Sequence, residues 1–258
     1  MMKRPDAGPR PAGAPGRQPA RGDRENLSDL AYGQLEELIV TCILRPGLFL
    51  SIQDLQAQTG LGRTPMHQAV SRLASDTLIR VRPRHGIQIA PIDLRRERTL
   101  LRLRRDMEQF VVRLAAERAD AAYRNGLAAI ADALRTQGSR MDIGRFNALD
   151  QQINRLLIAA AGEPFLEATL RPLHTIFRRI GWIYHSRVRP SDLGGTVRGH
   201  LAIVESVAAG RVSDAASACD GLMAFVEGMF DVLDQGNDPA LFDCNLDLLP
   251  ACPGGVAG

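Results

Sequence analysis

Residues 60–73, GLGRTPMHQAVSRL, have the pattern of the turn and second helix of a helix-turn-helix motif. Gly60 supplies the positive φ that a tight turn between two helices needs. Thr64 is predicted to cap the second helix with its hydroxyl, and Pro65 suits the first helical position. Apolar residues then recur at helical spacing and predict the buried stripe of this helix: Met66, Ala69, Val70 and Leu73.

The other positions of this helix are predicted to face outward. They carry basic or polar side chains that reach phosphates and base edges, which indicates a helix that binds DNA. The candidates for these contacts are Arg63, Thr64, His67, Gln68, Ser71 and Arg72.

Two helices are predicted before this motif. Residues 27–44 have amphipathic spacing and end at Arg45-Pro46-Gly47, because proline cannot continue a helix and glycine turns the chain. Residues 52–58 form a shorter helix, and Ser51 with Asp54 resembles a capping box at its start. The buried side of the first helix is expected to hold Leu30, Leu35, Leu38, Ile39 and Cys42.

A basic hairpin is predicted after the motif. Residues 78–81 and 87–90 read as strands, and the turn between them, residues 82–86, ends in glycine. A hairpin that directly follows a DNA-binding helix is a wing, and its candidate contacts are Arg84, His85 and Gly86. The segment from residue 63 to residue 84 is locally positive, because Asp76 is its single acidic residue. This charge suits phosphate contact and comes from Arg63, Arg72, Arg80, Arg82 and Arg84.

The second half of the chain is predicted to be an all-α antiparallel bundle, because no strand pattern interrupts its helical periodicity. The fold class is therefore mainly α, with an N-terminal winged helix-turn-helix and a C-terminal helical bundle. The predicted helices are 94–122, 127–137, 143–161, 163–185, 197–209 and 213–233.

Composition fits a two-domain chain of 258 residues. We predict a disordered basic arm (1–25), a DNA-binding domain (26–91), a helical domain (92–236) and a flexible tail (237–258). The net charge is only +3, so the basic character is local. The chain shows neither a signal peptide nor a long uncharged apolar run, which favours a cytoplasmic protein. Its cysteines lack zinc or redox spacing, and two of them are expected to be buried thiols, Cys42 and Cys219.

The DNA-binding half resembles the winged helix of the GntR family of transcriptional regulators. Residues 62–70 are similar in register to the family pattern Ser-Arg-Thr-Pro-Val-Arg-Glu-Ala-Leu, and residues 44–47 echo its Leu-x-Pro-Gly turn. The chain departs from the pattern at three positions. His67 replaces a base-contacting arginine, Gln68 replaces a glutamate, and Thr77 stands where a glycine commonly ends the helix.

The helical half resembles the FCD effector-binding domain of the FadR subfamily. Residues 104–108 are similar to the Arg-x-x-Leu-Glu of its first helix. Residues 150–154 and 160–164 are similar to its Asp-x-x-Phe-His and Ala-x-Gly-Asn-Pro signatures, and His200 begins a further motif that runs to Gly210. The resemblance implies a homodimer and a ligand site inside the bundle.

Many FCD domains hold a divalent metal with one Asp and three His. In this chain Asp150 and His200 match, while Asn154 and Leu222 stand at the other two positions. An amide is a poor ligand for zinc or nickel compared with imidazole. We therefore expect no metal cofactor and a polar pocket that binds an organic ligand directly.

Arg104 is the candidate for binding an acidic ligand, although an ion pair with Glu108 is an alternative role. Arg178 and Arg179, with Trp182 one turn later, are further candidates for lining the pocket, and core packing is the alternative for Trp182. His174 and His185 lack obvious partners and are expected at the surface or at helix ends. The effector-binding set is Arg104, Asp150, Asn154, Arg178 and His200.

Three functions compete for this pattern. We favour a ligand-responsive regulator, a repressor that binds a pseudo-palindromic DNA operator as a homodimer and takes a small organic acid as effector. A metal-dependent enzyme is disfavoured because the metal ligands are incomplete and a nucleophile–base motif is lacking, so no catalytic residues are assigned. The third is a DNA-binding protein that takes no ligand. It is disfavoured because polar residues lie on otherwise apolar helices, and buried polar groups need partners.

Overall fold

The computed structural model describes residues 21–190 and 192–235, with the backbone alone for residues 21–26 and 139. The first 20 residues of the predicted arm lie outside the described residues, as do the predicted tail and Cys244 and Cys252. The described part contains nine α-helices and a three-stranded sheet. A winged helix-turn-helix precedes a helical bundle, so the predicted fold class is confirmed.

The winged domain is built from three helices and three short strands. Antiparallel pairing gives the strand order β1-β3-β2, and the short apolar run after the first helix supplies the first strand. The elements are α1 (Arg21–Val40), β1 (Phe49–Leu50), α2 (Ile52–Thr59), α3 (Arg63–Ser75), β2 (Ile79–Arg82) and β3 (Gly86–Ile89).

The capping box at the start of α2 is confirmed. The Ser51 hydroxyl accepts the N–H of Asp54 at 3.1 Å, and the Asp54 carboxylate accepts the N–H of Ser51 at 2.7 Å. The predicted cap of α3 is wrong, because the helix begins at Arg63 with Gly62 as its N-cap and no side-chain cap. Pro65 still fits, since N–H groups of the first helical turn have no partner within the helix.

Three positions with positive φ shape the wing, and one of them, Arg84 in the hairpin turn, has φ 64°. Thr77 has φ 61° directly after α3, where a β-branched residue costs about 1–3 kcal/mol. Its hydroxyl lies 3.3 Å from a guanidinium nitrogen of Arg96. Gly86 has φ 89°, and a Cβ there would lie 2.5 Å from the Leu50 carbonyl oxygen. Only glycine therefore lets the hairpin pack against β1.

The bundle consists of six helices arranged around α4, which packs against α6, α7, α8 and α9. A 3₁₀ turn (Gly138–Arg140) follows the second of these helices, and a π-helical turn (Tyr184–Val188) follows the fourth. The helices are α4 (Leu94–Arg118), α5 (Ala121–Gln137), α6 (Ile143–Ala161), α7 (Phe165–Ile183), α8 (Gly194–Ala208) and α9 (Val212–Gln235).

The single long helix predicted over 94–122 is wrong. The chain breaks after Arg118, and the Asp120 carboxylate caps α5 by accepting the N–H of Tyr123 at 3.0 Å. Apolar periodicity continues across the break, so the pattern did not reveal it. The first helix also differs from its prediction, since α1 starts at Arg21 inside the predicted arm and ends before Cys42.

The two domains pack through α1 and α7. Ile176 of α7 joins the core of the winged domain, and a guanidinium nitrogen of Arg179 donates to the Ala90 carbonyl oxygen at 2.8 Å. Leu30 was predicted to be buried in α1, but it is 46% exposed. The predicted Leu35 and Ile39 are buried, and α1 also buries Ala31, Tyr32 and Glu36.

Glu97 is a buried acid at this junction, in the first turn of α4. Burial raises its pKa to about 7, although Arg179 and the N–H of Asp93 oppose the rise. Because the folded chain holds this proton more tightly than the unfolded chain, stability falls as the pH rises from about 4.5 to about 7.

We expect Glu97→Gln to stabilise the protein by up to about 3 kcal/mol at pH 8 and to change little at pH 4.5. Urea unfolding at both pH values measures the effect. The exposed Glu117→Gln on the same helix is the control. Equal stabilisation at the two pH values would show that the Glu97 charge is not its cause.

Candidate functional site

The outer face of α3 and the wing expose most of the residues predicted to bind DNA. Arg63 donates from its Nε to His67 Nε2 at 3.4 Å, one helical turn away. Gly86 is half-buried beneath the wing. The exposed candidates are Arg63, Thr64, His67, Gln68, Ser71, Arg84 and His85, and Arg80 and Arg82 are exposed beside them.

Arg72 differs from the other candidates because it is half-buried and its guanidinium has partners within the winged domain. Its guanidinium pairs with Asp29 of α1 and stacks 4.5 Å from the centre of the Tyr32 ring. The Tyr32 hydroxyl in turn donates to Asp76 at 2.7 Å. The Arg72 side chain is 38% exposed, so it is partly accessible and its contact with DNA remains a prediction.

A groove of about 740 Å³ lies between the winged domain and the bundle. Tyr32 is flanked in this groove by two guanidinium groups, those of Arg72 and Arg171. Sequence reasoning missed the groove because its walls come from both domains. Among the residues that line it are Tyr32, Glu36, Arg72, Asn154, Arg171 and Arg178.

A second, buried cavity of about 50 Å³ lies inside the bundle. Four of the five predicted effector residues line it, and Asn154 lies beside it on a smaller void of about 10 Å³. All five are buried, so the structure brings the predicted set together. The residues of this set that line the 50 Å³ cavity are Arg104, Asp150, Arg178 and His200, joined by the unpredicted Asn147, His185 and Thr196.

Asp150 and His200 form a buried pair at 2.9 Å, between an Asp150 oxygen and His200 Nε2. The other ring nitrogen faces the carbonyl oxygen of Thr196 at 2.8 Å. Burial alone would raise the pKa of Asp150, but the hydrogen bond and charge of His200 lower it to about 2, with help from Arg104 and Arg178. Asp150 is therefore an anion that already has its partners.

This donor set does not fit a transition metal. Asn154 turns its amide nitrogen to Asp150 at 3.3 Å, and Leu222 lines the cavity beside His200. Within the described ranges, His, Cys, Asp and Glu nowhere form a group of three that could hold a metal ion. The positive charges of Arg104 and Arg178 near Asp150 further disfavour a cation.

Arg104 lines the cavity and also forms the alternative ion pair that its sequence position suggested, with Glu108 at 3.1 Å. Its guanidinium also lies 5.0 Å from the centre of the Phe177 ring. Glu108 accepts a second partner, His174 Nε2, at 2.8 Å. Burial raises the pKa of Glu108, but His174 and Arg104 together lower it to about 2.

The expected surface positions of His174 and His185 are wrong, because both side chains are buried. Most of the C-terminal half of α7 is enclosed by α1 and the bundle, so its polar residues need internal partners. His185 lies 2.8 Å from the Thr196 hydroxyl, and burial lowers its pKa against the opposing effect of Asp192. Arg179 is absent from the cavity wall because it contacts Ala90, whereas Trp182 is half-buried there.

Family models match both halves of the chain. Residues 27–89 match the bacterial regulatory proteins of the gntR family, and residues 99–225 match the FCD domain. The chain is a GntR-family transcriptional regulator with an FCD domain. The first range contains the helix-turn-helix and the wing, and the second contains most of the residues that line the buried cavity. Members of this family are DNA-binding transcriptional regulators rather than enzymes.

Relatives of this GntR regulator carry corresponding names. An uncharacterised HTH-type transcriptional regulator of Streptomyces ambofaciens is 26% identical over 233 residues, which cover 88% of this chain and 94% of the relative. The HTH-type transcriptional repressor RspR of Escherichia coli is 26% identical over 176 residues, 68% of this chain and 76% of the relative.

Solved structures show the same fold. E. coli McbR/YncC has a TM-score of 0.70 at 18% identity, over 82% of this chain and 99% of that one. A GntR regulator from Rhodococcus has a TM-score of 0.61 at 19% identity, over 81% and 98%. Within the described residues, no helix combines the length and apolar character needed to cross a membrane.

Proposed function

We propose that this GntR regulator is a cytoplasmic repressor that binds a pseudo-palindromic operator as a homodimer and releases it in response to a small organic acid. The main support for an acidic effector is that two arginines, Arg104 and Arg178, line one buried cavity. The relative RspR of Escherichia coli is named a transcriptional repressor, which supports the repressor role.

The charge balance of the cavity favours an acid. Asp150 is the one carboxylate among the lining residues, and it is paired with His200. Arg104 shares its partner Glu108 with His174. A ligand carboxylate can therefore become a second partner of Arg104, and no buried charge is exposed when it binds. A buried guanidinium gains most from an anion, because water is excluded around it.

The cavity volume limits the size of this acid. A cavity needs about 10–15 Å³ to hold one water molecule. A cavity of about 50 Å³ therefore holds a ligand of a few non-hydrogen atoms. Acetate and propionate match that size without rearrangement. Larger acids require the bundle to open.

Fluorescence of Trp182 tests this proposal, because it is the one tryptophan of the chain and it lines the cavity. We expect acetate or propionate to change the emission in a saturable way and their neutral amides to leave it unchanged. Arg104→Gln should remove the acid response. An equal response to acids and amides would contradict an acidic effector.

An exposed apolar stripe on α4 supports the homodimer. Leu103 and Phe110 lie two turns apart on one face of this helix and are 50% and 53% exposed. One recognition helix makes few base contacts, and pairing two of them supplies the missing specificity.

We expect Phe110→Glu combined with Leu103→Glu to convert the dimer to a monomer, because two buried charges face their symmetry mates. Sedimentation velocity measures the change. Phe165→Glu is the control, since Phe165 is 73% exposed on another helix. A double variant that remains dimeric would place the interface elsewhere.

The proposed metal-free cavity makes a further prediction. We expect the purified regulator to bind no stoichiometric nickel or zinc, and the double variant Asn154→His and Leu222→His to bind one equivalent, because two imidazoles then join Asp150 and His200. Elemental analysis after dialysis against each metal measures both. Stoichiometric metal in the unaltered protein, lost in His200→Ala, would contradict the proposal.

A further inference from the structure

Arg178 lies where the helical bundle meets the winged domain. It lies on α7 and lines both the buried cavity and the groove between the domains. Its side chain is only 3% exposed. A group bound in the cavity therefore meets the same guanidinium that faces the DNA-binding domain.

The guanidinium of Arg178 joins the bundle to α1 through three partners. Its Nε donates to the Asn147 side-chain oxygen at 2.9 Å, and its Nη2 donates to Glu37 of α1 at 2.9 Å. The Asn147 amide nitrogen donates to Glu37 at 3.0 Å, which closes the triangle. A carboxylate of Glu36 lies further away, at 3.9 Å from Nη1.

The two glutamates of α1 differ in how easily they can leave. Glu36 is buried and also holds the Thr175 hydroxyl and the Gln151 amide. The Glu37 side chain is 48% exposed, so its carboxylate can turn to water when it loses Arg178. Separating an exposed carboxylate from its ion-pair partner costs little free energy.

We propose that the ligand carboxylate and Glu37 compete for Arg178, so that filling the cavity releases one of the contacts that hold α1 to the bundle. This inference rests on the proposed acidic effector and adds the residue through which the effector acts. The released contact belongs to α1, which packs directly on the recognition helix α3. The position of the winged domain then depends on whether Arg178 holds Glu37 or the ligand.

Competition has a consequence that an inert structural contact lacks. By thermodynamic linkage, removal of the Glu37 charge must tighten ligand binding by the factor with which Glu37 opposed it. Allosteric couplings commonly change affinity by about 5- to 150-fold, and we expect about ten-fold here. Loss of Arg178 itself should weaken the ligand instead.

The experiment titrates acetate and propionate into the full chain and follows Trp182 emission. We expect Glu37→Gln to lower the apparent Kd of the acid about ten-fold and Arg178→Gln to raise it at least ten-fold. Glu205→Gln is the matched control, since its half-buried carboxylate pairs with Arg135 at 2.8 Å on the far side of the bundle. Circular dichroism of each variant checks that the helices remain folded.

Each result decides the matter. Tighter binding in Glu37→Gln but not in Glu205→Gln supports the competition. Acid binding that is equal in the unaltered protein and in Glu37→Gln overturns the competition and leaves the acidic effector standing. Absence of an acid response in every variant overturns the acidic effector and the competition together.

Discussion

Glu108→Gln is expected to destabilise the helical bundle by about 3–5 kcal/mol, because it removes the one anion that both Arg104 and His174 contact. Glu108 is 5% exposed, so water cannot replace the lost partner. The Arg104 guanidinium then stays buried without its direct ion-pair partner. Thermal and urea unfolding of the variant measure the loss.

The matched control is Glu227→Gln. Glu227 also pairs with an arginine, Arg105, at 3.4 Å, but its side chain is 47% exposed. Exposed ion pairs contribute about 0–1 kcal/mol, so this variant should unfold almost like the unaltered protein. Similar losses for the two variants would mean that burial of the Glu108 cluster does not determine its contribution.

Arg63→Ala is expected to weaken operator binding by about 1–3 kcal/mol, roughly 5- to 150-fold, with a smaller loss on random DNA. Arg63 is exposed at the start of the recognition helix α3 and makes no ion pair within the described residues. Its guanidinium is therefore available to base edges and phosphates. Fluorescence anisotropy with operator and random duplexes at fixed salt measures both losses.

A wing variant provides the comparison for Arg63. Arg84 lies in the exposed hairpin turn, and Arg84→Ala should weaken operator and random DNA by similar factors. His67→Arg should change which operator is preferred, since position 67 neighbours Arg63 on the same face. If Arg63→Ala reduced operator and random binding equally, Arg63 would contact phosphate rather than bases.

Local patterns predicted the DNA-binding half well because its elements are defined by short-range chemistry. The capping box at Ser51, the turn at Gly60 and the apolar spacing of α3 are all set by near neighbours. The ion pair of Arg72 was not predicted, because its partner, Asp29, comes from a helix 43 residues earlier. Sequence spacing alone does not show which face of α3 that helix covers.

The cavity was predicted only in part, for a related reason. Family-like motifs identified Asp150 and His200, and the structure pairs them. The partners of Arg178 and His174 come from α1 and α4, and tertiary packing alone brings these helices to α7. The break before Asp120 was hidden because apolar periodicity continues through it.

Sequencing of genomic DNA fragments retained by the purified full chain tests the central claim most directly. The account predicts that the fragments share an inverted repeat whose half-sites lie about one helical turn apart, as two winged helices of a dimer require. Footprinting should then protect both half-sites, and Arg63→Ala should abolish the protection at the same protein concentration. Retained fragments without a shared sequence, bound equally by Arg63→Ala, would contradict a sequence-specific regulator.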